Sequence, residues 1–401
     1  MNSKAGASRR AVVKGLAGTL GTAALVPVAL AQQPTANTGT PPSVITNPPR
    51  QWGRHAPPTI FPDPDIILID PSFGSLLLGI TAIRRVATGF LWAEGPAWSN
   101  EGQYLVFSDV QGNAQYRFLW DDRRVTEFRK PSHNSNGNSF DFQGRQLSTQ
   151  DFFRRVVRWE HDGTMTVIAD AFDGKPLNSP NDIVPHPDGS IWFTDPPFGT
   201  TLSEGHPDEA GGPTNPQGLL NPRIGAENAG AIGGKQRELP NAVYRWDPSG
   251  RLDQVISEDQ LKDPNGICFA PDYKTLYVVT GGKGPGDRHD GGTRTIWAFD
   301  VQNGKLSNGR EFLDMMVDGI KCRPDGMRCD VYGNIWCSSN GPLGYAGVVV
   351  YNAQAKLLGR IRLPEVCANV AFGGPKRNHL FMTASQSLYM LQVNTQGAAP
   401  G

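Results

Sequence analysis

The chain has 401 residues, enough for one large domain or two ordinary ones, and its 38 Lys and Arg balance 38 Asp and Glu. That balance excludes a basic field for a nucleic-acid backbone and an acidic interaction tail. Gly (47) and Pro (33) are abundant but below the low-complexity range, and frequent turns with nine Trp predict short strands rather than long helices.

In chain order, residues 1–31 read as a signal peptide. SRRAVVK (Ser8–Lys14) supplies a charged region, GLAGTLGTAALVPVAL an apolar one, and Ala29-Leu30-Ala31 a small-residue cleavage site before Gln32. The pair Arg9-Arg10 fits the twin-arginine export machinery. The apolar run is short, rich in Gly and Ala, and contains Pro27, so no membrane association is expected after cleavage. The expected location is periplasmic or secreted. Residues 32–61 read as a Pro/Thr-rich linker, 62–395 as the folded domain and 396–401 as a C-terminal tail.

Within 62–395 one pattern recurs: a polar residue, a short strand, a Gly/Asp turn, and a second strand ending in Ser, Thr or Asp. It starts at Glu94 (EGPAWSNEGQYLVFSD), Asn136 (NGNSFDFQGRQLSTQD), Asn181 (NDIVPHPDGSIWFTDP), Asn265 (NGICFAPDYKTLYVVTG), Asp325 (DGMRCDVYGNIWCSSN) and Asn369 (NVAFGGPKRNHLFMTAS). Three of the spacings are about 42–45 residues, and most copies continue into a third strand such as AVYRWD or GVVVYN. One such antiparallel unit cannot bury both faces alone; radial packing of six does so and protects the edges. The expected fold is therefore all-β, a six-bladed β-propeller with a central metal site. TAIRRVATGF (Thr81–Phe90) would supply the outer strand that closes the ring with the last blade.

The first strand of each unit would line the channel, and its leading residue would sit at one mouth. Glu94, Asn136, Asn181, Asn265, Asp325 and Asn369 would then converge as a ring of acids and amides. Such hard oxygen donors with two negative charges suit a divalent ion, Ca²⁺ foremost, with Zn²⁺, Mg²⁺ or Mn²⁺ as alternatives. Asn-Gly and Asp-Gly also form ordinary turns, a reading that competes most strongly at Asn136 and Asn369. Loops after the second strands (197–240, 281–294 and 339–347) would surround the same mouth, the first as a lid over 210–234. Arg154, Arg155, His289 and Tyr345 would face a substrate there.

Five cysteines follow the signal: Cys268, Cys322, Cys329, Cys337 and Cys367. An oxidising compartment permits a disulfide, with no pairing chosen by the spacing. No G-x-S-x-G, H-E-x-x-H, P-loop or Rossmann motif occurs, and the seven His are scattered. The oxygen ring is the one constellation with a mechanism: an ion that polarises an ester carbonyl, and a carboxylate, Asp325, as general base.

WAEGPAW, SPNDIVPHPDGSIWFTDPPFG, DPNGICFAPD and RPDGMRCDVYGNIW resemble the motifs of the gluconolactonase/senescence-marker-protein-30/luciferin-regenerating-enzyme family, in particular its bacterial gluconolactonase branch. The resemblance covers roughly residues 62–395. It implies that Glu94, Asn181, Asn265 and Asp325 hold the metal and that Asp325 is also the base or nucleophile. Asn136 and Asn369 fall outside that ligand set. An Arg that reads sugar hydroxyls in some members corresponds to Ser179 here. The candidate substrate-binding residues are Asn136, Ser179, Asp182, Arg154, His289 and Tyr345. The activity implied is hydrolysis of an aldonolactone such as glucono-lactone to its acid, with a small sugar lactone as the partner molecule. Another lactonase or a phosphotriesterase on the same metal, a non-catalytic sugar- or protein-binding propeller, and a metal-free strictosidine-synthase-like propeller are the alternatives. Asp182 and Asp195 are the next candidates for the base.

Overall fold

The segment HPDGS (186–190) shows how one unit folds. Gly189 takes φ +87° and donates its N–H to the His186 carbonyl at 2.9 Å, while Asp188 accepts from the Ser190 N–H at 2.8 Å. This is a tight hairpin whose left-handed position suits Gly. It pairs Ile183–Pro185 with Ile191–Asp195, which continue into Ala242–Trp246 and Leu252–Ser257 as a four-stranded antiparallel sheet.

The computed structural model describes residues 48–53, 55–198, 238–282 and 292–398. Six such sheets form the blades of the expected propeller. Their inner strands are Ala93–Ser99, Ser135–Phe140, Ile183–Pro185, Pro264–Phe269, Met327–Cys329 and Cys367–Gly373, for blades one to six in chain order. Arg84–Thr88 pairs with Ser387–Gln392 as the outer strand of blade six, so the two ends of the propeller close in one sheet as the sequence predicts. An unanticipated strand, Ile66–Leu68, adds to the outer edge of blade five by pairing with Leu357–Arg362.

Alternation of side chains along the strands places apolar rows between neighbouring blades. Blades six and one bury Trp98, Phe107, Phe118 and Phe381 together; blades five and six bury Trp336, Val350, Phe372 and Leu380. The junction of blades one and two has a small apolar cluster, Ala97, Val106 and Phe140. Polar groups complete it. Gln115 Nε2 donates to Asn138 Oδ1 at 2.7 Å and to Ser135 Oγ at 2.9 Å, and Ser148 Oγ donates to Asn138 Oδ1 at 2.9 Å. Buried polar groups are tolerated there because they satisfy one another.

The chain on either side of 62–395 also packs on the propeller. Arg50 forms ion pairs of 2.8 Å with both Asp63 and Asp65, and Trp52 stands edge-on to Tyr389 with ring centroids 5.3 Å apart. The Ala398 N–H donates to the Cys329 carbonyl at 3.0 Å. The signal peptide, the rest of the linker, the lid at 210–234, His289 and the last residues of the tail lie outside the described residues. All five cysteines are buried and none is bridged.

The inner strands approach closely enough to require Gly at named points. A Cβ on Gly137 would overlap the Asn181 carbonyl of the next blade, to which the Gly137 N–H donates at 2.8 Å. Gly137→Ala should therefore destabilise the protein by about 2–3 kcal/mol, the cost of overpacking plus a lost buried hydrogen bond. Gly79→Ala, where a Cβ meets nothing within 4 Å, should change stability by less than about 0.5 kcal/mol. Urea denaturation midpoints of the two variants check this; equal midpoints would show that the blades are not in close contact at Gly137.

Candidate active site

The leading residues of the six units converge at one end of the channel, for two local reasons. First, the inner strands bulge at their starts: register shifts lie between Glu94 and Ala97, Ser135 and Asn138, Pro264 and Ile267, and Cys367 and Asn369. A bulge re-aims the side chains beside it. Second, each start is tied to the next blade. Asn138 Nδ2 donates to the Gly95 carbonyl at 2.8 Å, Gly137 N–H to Asn181 O at 2.8 Å, and Ile267 N–H to Asp182 Oδ2 at 3.2 Å. Gly266 N–H donates to Asp325 O at 3.1 Å, Gly326 N–H to Ala368 O at 2.8 Å, and Ala93 N–H to Ser385 O of blade six at 2.8 Å. The circle of blades is closed by hydrogen bonds. Glu94-Gly95, Asn136-Gly137 and Asn265-Gly266 lie within strands, so these pairs serve close approach rather than turns.

Glu94 is buried, with its carboxylate accepting from the Gly95 N–H. Burial foremost, then repulsion from Asp325, pushes its carboxyl well above the usual range; the Gly95 and Asn369 hydrogen bonds oppose this, and Asp182 adds to it. Asp325 is more open, half-buried at the mouth, with its N–H donating to Ser338 Oγ at 2.9 Å. Its carboxyl is also raised, by loss of solvent and by Asp182, against the opposing charge of Arg323 and a hydrogen bond from Asn265. Asn136 and Asn181 are both buried, and neither side-chain amide makes a hydrogen bond among the described residues.

This donor set fits a divalent cation. Two carboxylates repel in one poorly solvated site, beside two amides, Asn136 and Asn181, that make no side-chain hydrogen bond among the described residues. A hard dication would offset the repulsion and take amide oxygens as ligands. Among the described residues no three His, Cys, Asp or Glu side chains cluster to hold a metal, so the acids would have to act with amides.

The remaining predicted residues surround the ring in different ways. Ser179 Oγ donates to the Pro196 carbonyl at 2.6 Å, and Asp195 accepts from the Asn178 N–H at 2.8 Å, so both shape the loop that carries Asn181. Burial pushes the Asp195 carboxyl up to about 7. Arg154 donates to the carbonyls of Leu177 and Asn178, propping that loop from behind. Arg155 donates to Gln150 Oε1 at 2.7 Å, with its guanidinium 4.5 Å from the Phe153 ring. Tyr345 is buried in the cluster shared by blades four and five, beneath the Arg360 guanidinium at 4.4 Å. Asp182 is fully engaged: it accepts from Ile183 N–H at 2.9 Å and Ile267 N–H at 3.2 Å, and pairs with Arg328 at 3.3 Å.

Two residues escaped the sequence reading. Arg323 stands two residues before Asp325, half-buried at the mouth. Arg328 is buried in the middle of an inner strand. A charged residue inside a unit's first strand was the available signal for Arg328; nothing in the sequence names its partner.

Comparison with known proteins bears on the fold and the family. Residues 92–386 match the model of the SMP-30/Gluconolactonase/LRE-like region. A gluconolactonase of Zymomonas mobilis is 27% identical over 354 residues, 83% of this chain and 87% of the relative. A pentonolactonase of Haloferax volcanii is 26% identical over 76% of this chain and 86% of its own. The solved structure of a gluconolactonase from Xanthomonas campestris superposes with a TM-score of 0.66 at 29% identity, over 85% of this chain and 98% of that one. The propeller, its closed ring of inner strands and the match across blades one to six together place this chain in the SMP-30/gluconolactonase/LRE-like family.

Proposed function

We propose that this protein is an exported, metal-dependent sugar lactonase that hydrolyses an aldonolactone, glucono-lactone among them, to the aldonic acid. The observation that carries the reading is that Glu94 and Asp325 lie at the starts of inner strands at one channel mouth, where Asp325 repels the Glu94 carboxylate, beside the Asn136 and Asn181 amides. Relatives of this chain named gluconolactonase and pentonolactonase give the substrate class.

Glu94, Asn181, Asn265 and Asp325 would hold the ion, with Ca²⁺ the best match to an all-oxygen donor set. When bound, the ion supplies Lewis-acid polarisation of the lactone carbonyl. Asp325 is the base. It is the more solvent-accessible of the two acids, and its backbone is anchored by the bond from its N–H to Ser338 Oγ at 2.9 Å. It accepts a proton as water adds to the carbonyl carbon; the ring C–O bond then breaks, and the released oxygen takes a proton to become a hydroxyl. Glu94 moves no proton in this scheme. Asp182 is held by Arg328 and two backbone N–H groups, and Asp195 is bonded to the Asn178 backbone, so neither is placed to serve as base. Asn136 and Ser179 are the candidate contacts for sugar hydroxyls, with the Ser179 hydroxyl bonded to the Pro196 carbonyl in this structure.

Asp325→Asn and Glu94→Gln should therefore fail in different ways. Both should bind metal more weakly, each having lost a charge. At saturating metal, turnover of Asp325→Asn should remain about two orders of magnitude or more below wild type, the scale for losing a general base. Glu94→Gln should recover much of its rate in excess metal. Turnover of glucono-lactone against metal concentration, with a chelator-treated wild type as baseline, checks both. Full recovery of Asp325→Asn would reduce Asp325 to a ligand.

The export proposal rests on Arg9-Arg10, the apolar run and Ala29-Leu30-Ala31. The twin-arginine machinery would deliver the folded protein to the periplasm or beyond. N-terminal sequencing of protein from the periplasmic fraction should begin near Gln32; material that begins at Met1 would overturn it.

A further inference from the structure

Arg328 and Asp182 form an ion pair on the channel side of the inner strands. Asp182 is 1% exposed and Arg328 3%. Nη1 of Arg328 donates to Asp182 Oδ2 at 3.3 Å and Nη2 to Asp182 Oδ1 at 3.4 Å. Nη1 also donates to the Met327 carbonyl at 2.7 Å and to the Ile267 carbonyl at 3.4 Å. Arg328 belongs to blade five and Asp182 to blade three, and the intervening contact is backbone of blade four. A side chain that crosses from blade five to blade three past the inner strand of blade four runs along the channel. Blades three, four and five are also those that carry Asn181, Asn265 and Asp325.

The pair decides the charge of this space. Asp182 adds a third carboxylate to Glu94 and Asp325, and it acts electrostatically on both. Arg328 in turn feels Glu94 as well as Asp182. Arg328 cancels the charge of Asp182, so the pair adds none to that of the ligand carboxylates Glu94 and Asp325, while Arg323 at the mouth opposes Asp325. A buried carboxylate next to a metal ligand would by itself raise the charge the site presents, and the guanidinium cancels that excess within hydrogen-bonding distance.

We infer that the Arg328–Asp182 pair sets the valence preference of the metal site: Arg328 is a positioning residue whose charge cancels that of Asp182, leaves the site with the charge of its own ligands, and so favours a divalent over a trivalent ion. This rests on the reading that the ring holds a cation.

The test is a charge-cancelling cycle read by calorimetric titration with Ca²⁺ and with Tb³⁺, a trivalent ion that also takes oxygen ligands. The measured quantity is the ratio of Tb³⁺ to Ca²⁺ affinity. One unit of charge a few ångströms away, at an effective dielectric near ~20, changes this ratio by about tenfold or more. Arg328→Met should raise the ratio by at least about tenfold. Asp182→Asn should lower it by a similar factor. The double variant, Arg328→Met with Asp182→Asn, removes one charge of each sign and should return the ratio to within about threefold of wild type. A purely structural role would weaken both ions together in every variant and leave the ratio fixed, and that result would overturn the inference. So would a double variant displaced as far as Arg328→Met. If Arg328→Met does not fold, because a buried carboxylate has lost its partner, Asp182→Asn and the double variant still decide the sign. Wild-type protein that binds neither ion would overturn the metal reading itself, and this inference with it.

Discussion

The inner strands of six sheets meet around one axis at backbone distance, and the site depends on that closeness. Radial packing brings the start of each inner strand against its neighbour. The contacts are made by N–H groups of Ala93, Gly137, Gly266 and Gly326, the amide of Asn138, and the Asp182 carboxylate. A side chain on Gly95, Gly137 or Gly266 would occupy the space of the adjacent carbonyl. Small and amide residues therefore recur at the mouth because the geometry has no room for others. The same closeness forces Glu94, Asp182 and Asp325 into one poorly hydrated space, a condition that carboxylates avoid unless a cation or a firm hydrogen-bond frame balances them.

That balance separates three acids by role. Asp182 is held by two backbone N–H groups and a guanidinium. Glu94 is buried and bonded by the Gly95 N–H. Asp325 alone opens toward solvent, and its neighbours Asn265, Ser338 and Arg323 hold its backbone and charge in place without covering it. Acid chemistry at neutral pH depends on such inequality among similar groups. Here it follows from the different partners that neighbouring strands give each acid.

Closure of the ring is secured at the periphery as well. Arg84–Thr88 completes blade six, so the first and last parts of the propeller share one sheet. Arg50 then bridges Asp63 and Asp65, and Arg362 approaches Asp65 at 3.3 Å, which fixes the entering chain against blade five. Opening the ring would require separating these contacts together with the apolar faces of blades six and one, where Trp98 and Phe381 stack with centroids 6.1 Å apart. Such coupling keeps the mouth rigid, and a rigid first strand is what a preorganised site needs.

The architecture was legible in the sequence because it is periodic. Six copies of one strand–turn–strand pattern, each led by an acid or amide, determine a propeller, its closing strand near Arg84 and the convergence of Glu94, Asn136, Asn181, Asn265, Asp325 and Asn369. Local chemistry suffices for that, since hairpin turns and alternating burial act within a few residues. The strand Ile66–Leu68, the inward packing of Tyr345 and the use of Arg154 as a prop for the Asn181 loop were not legible, because each is decided by a surface that another blade supplies. The pairing of Arg328 with Asp182 is the clearest case. The two are 146 residues apart, and no pattern relates them. Only ring closure places them within hydrogen-bonding distance, and the dry channel between the blades then makes their charges count.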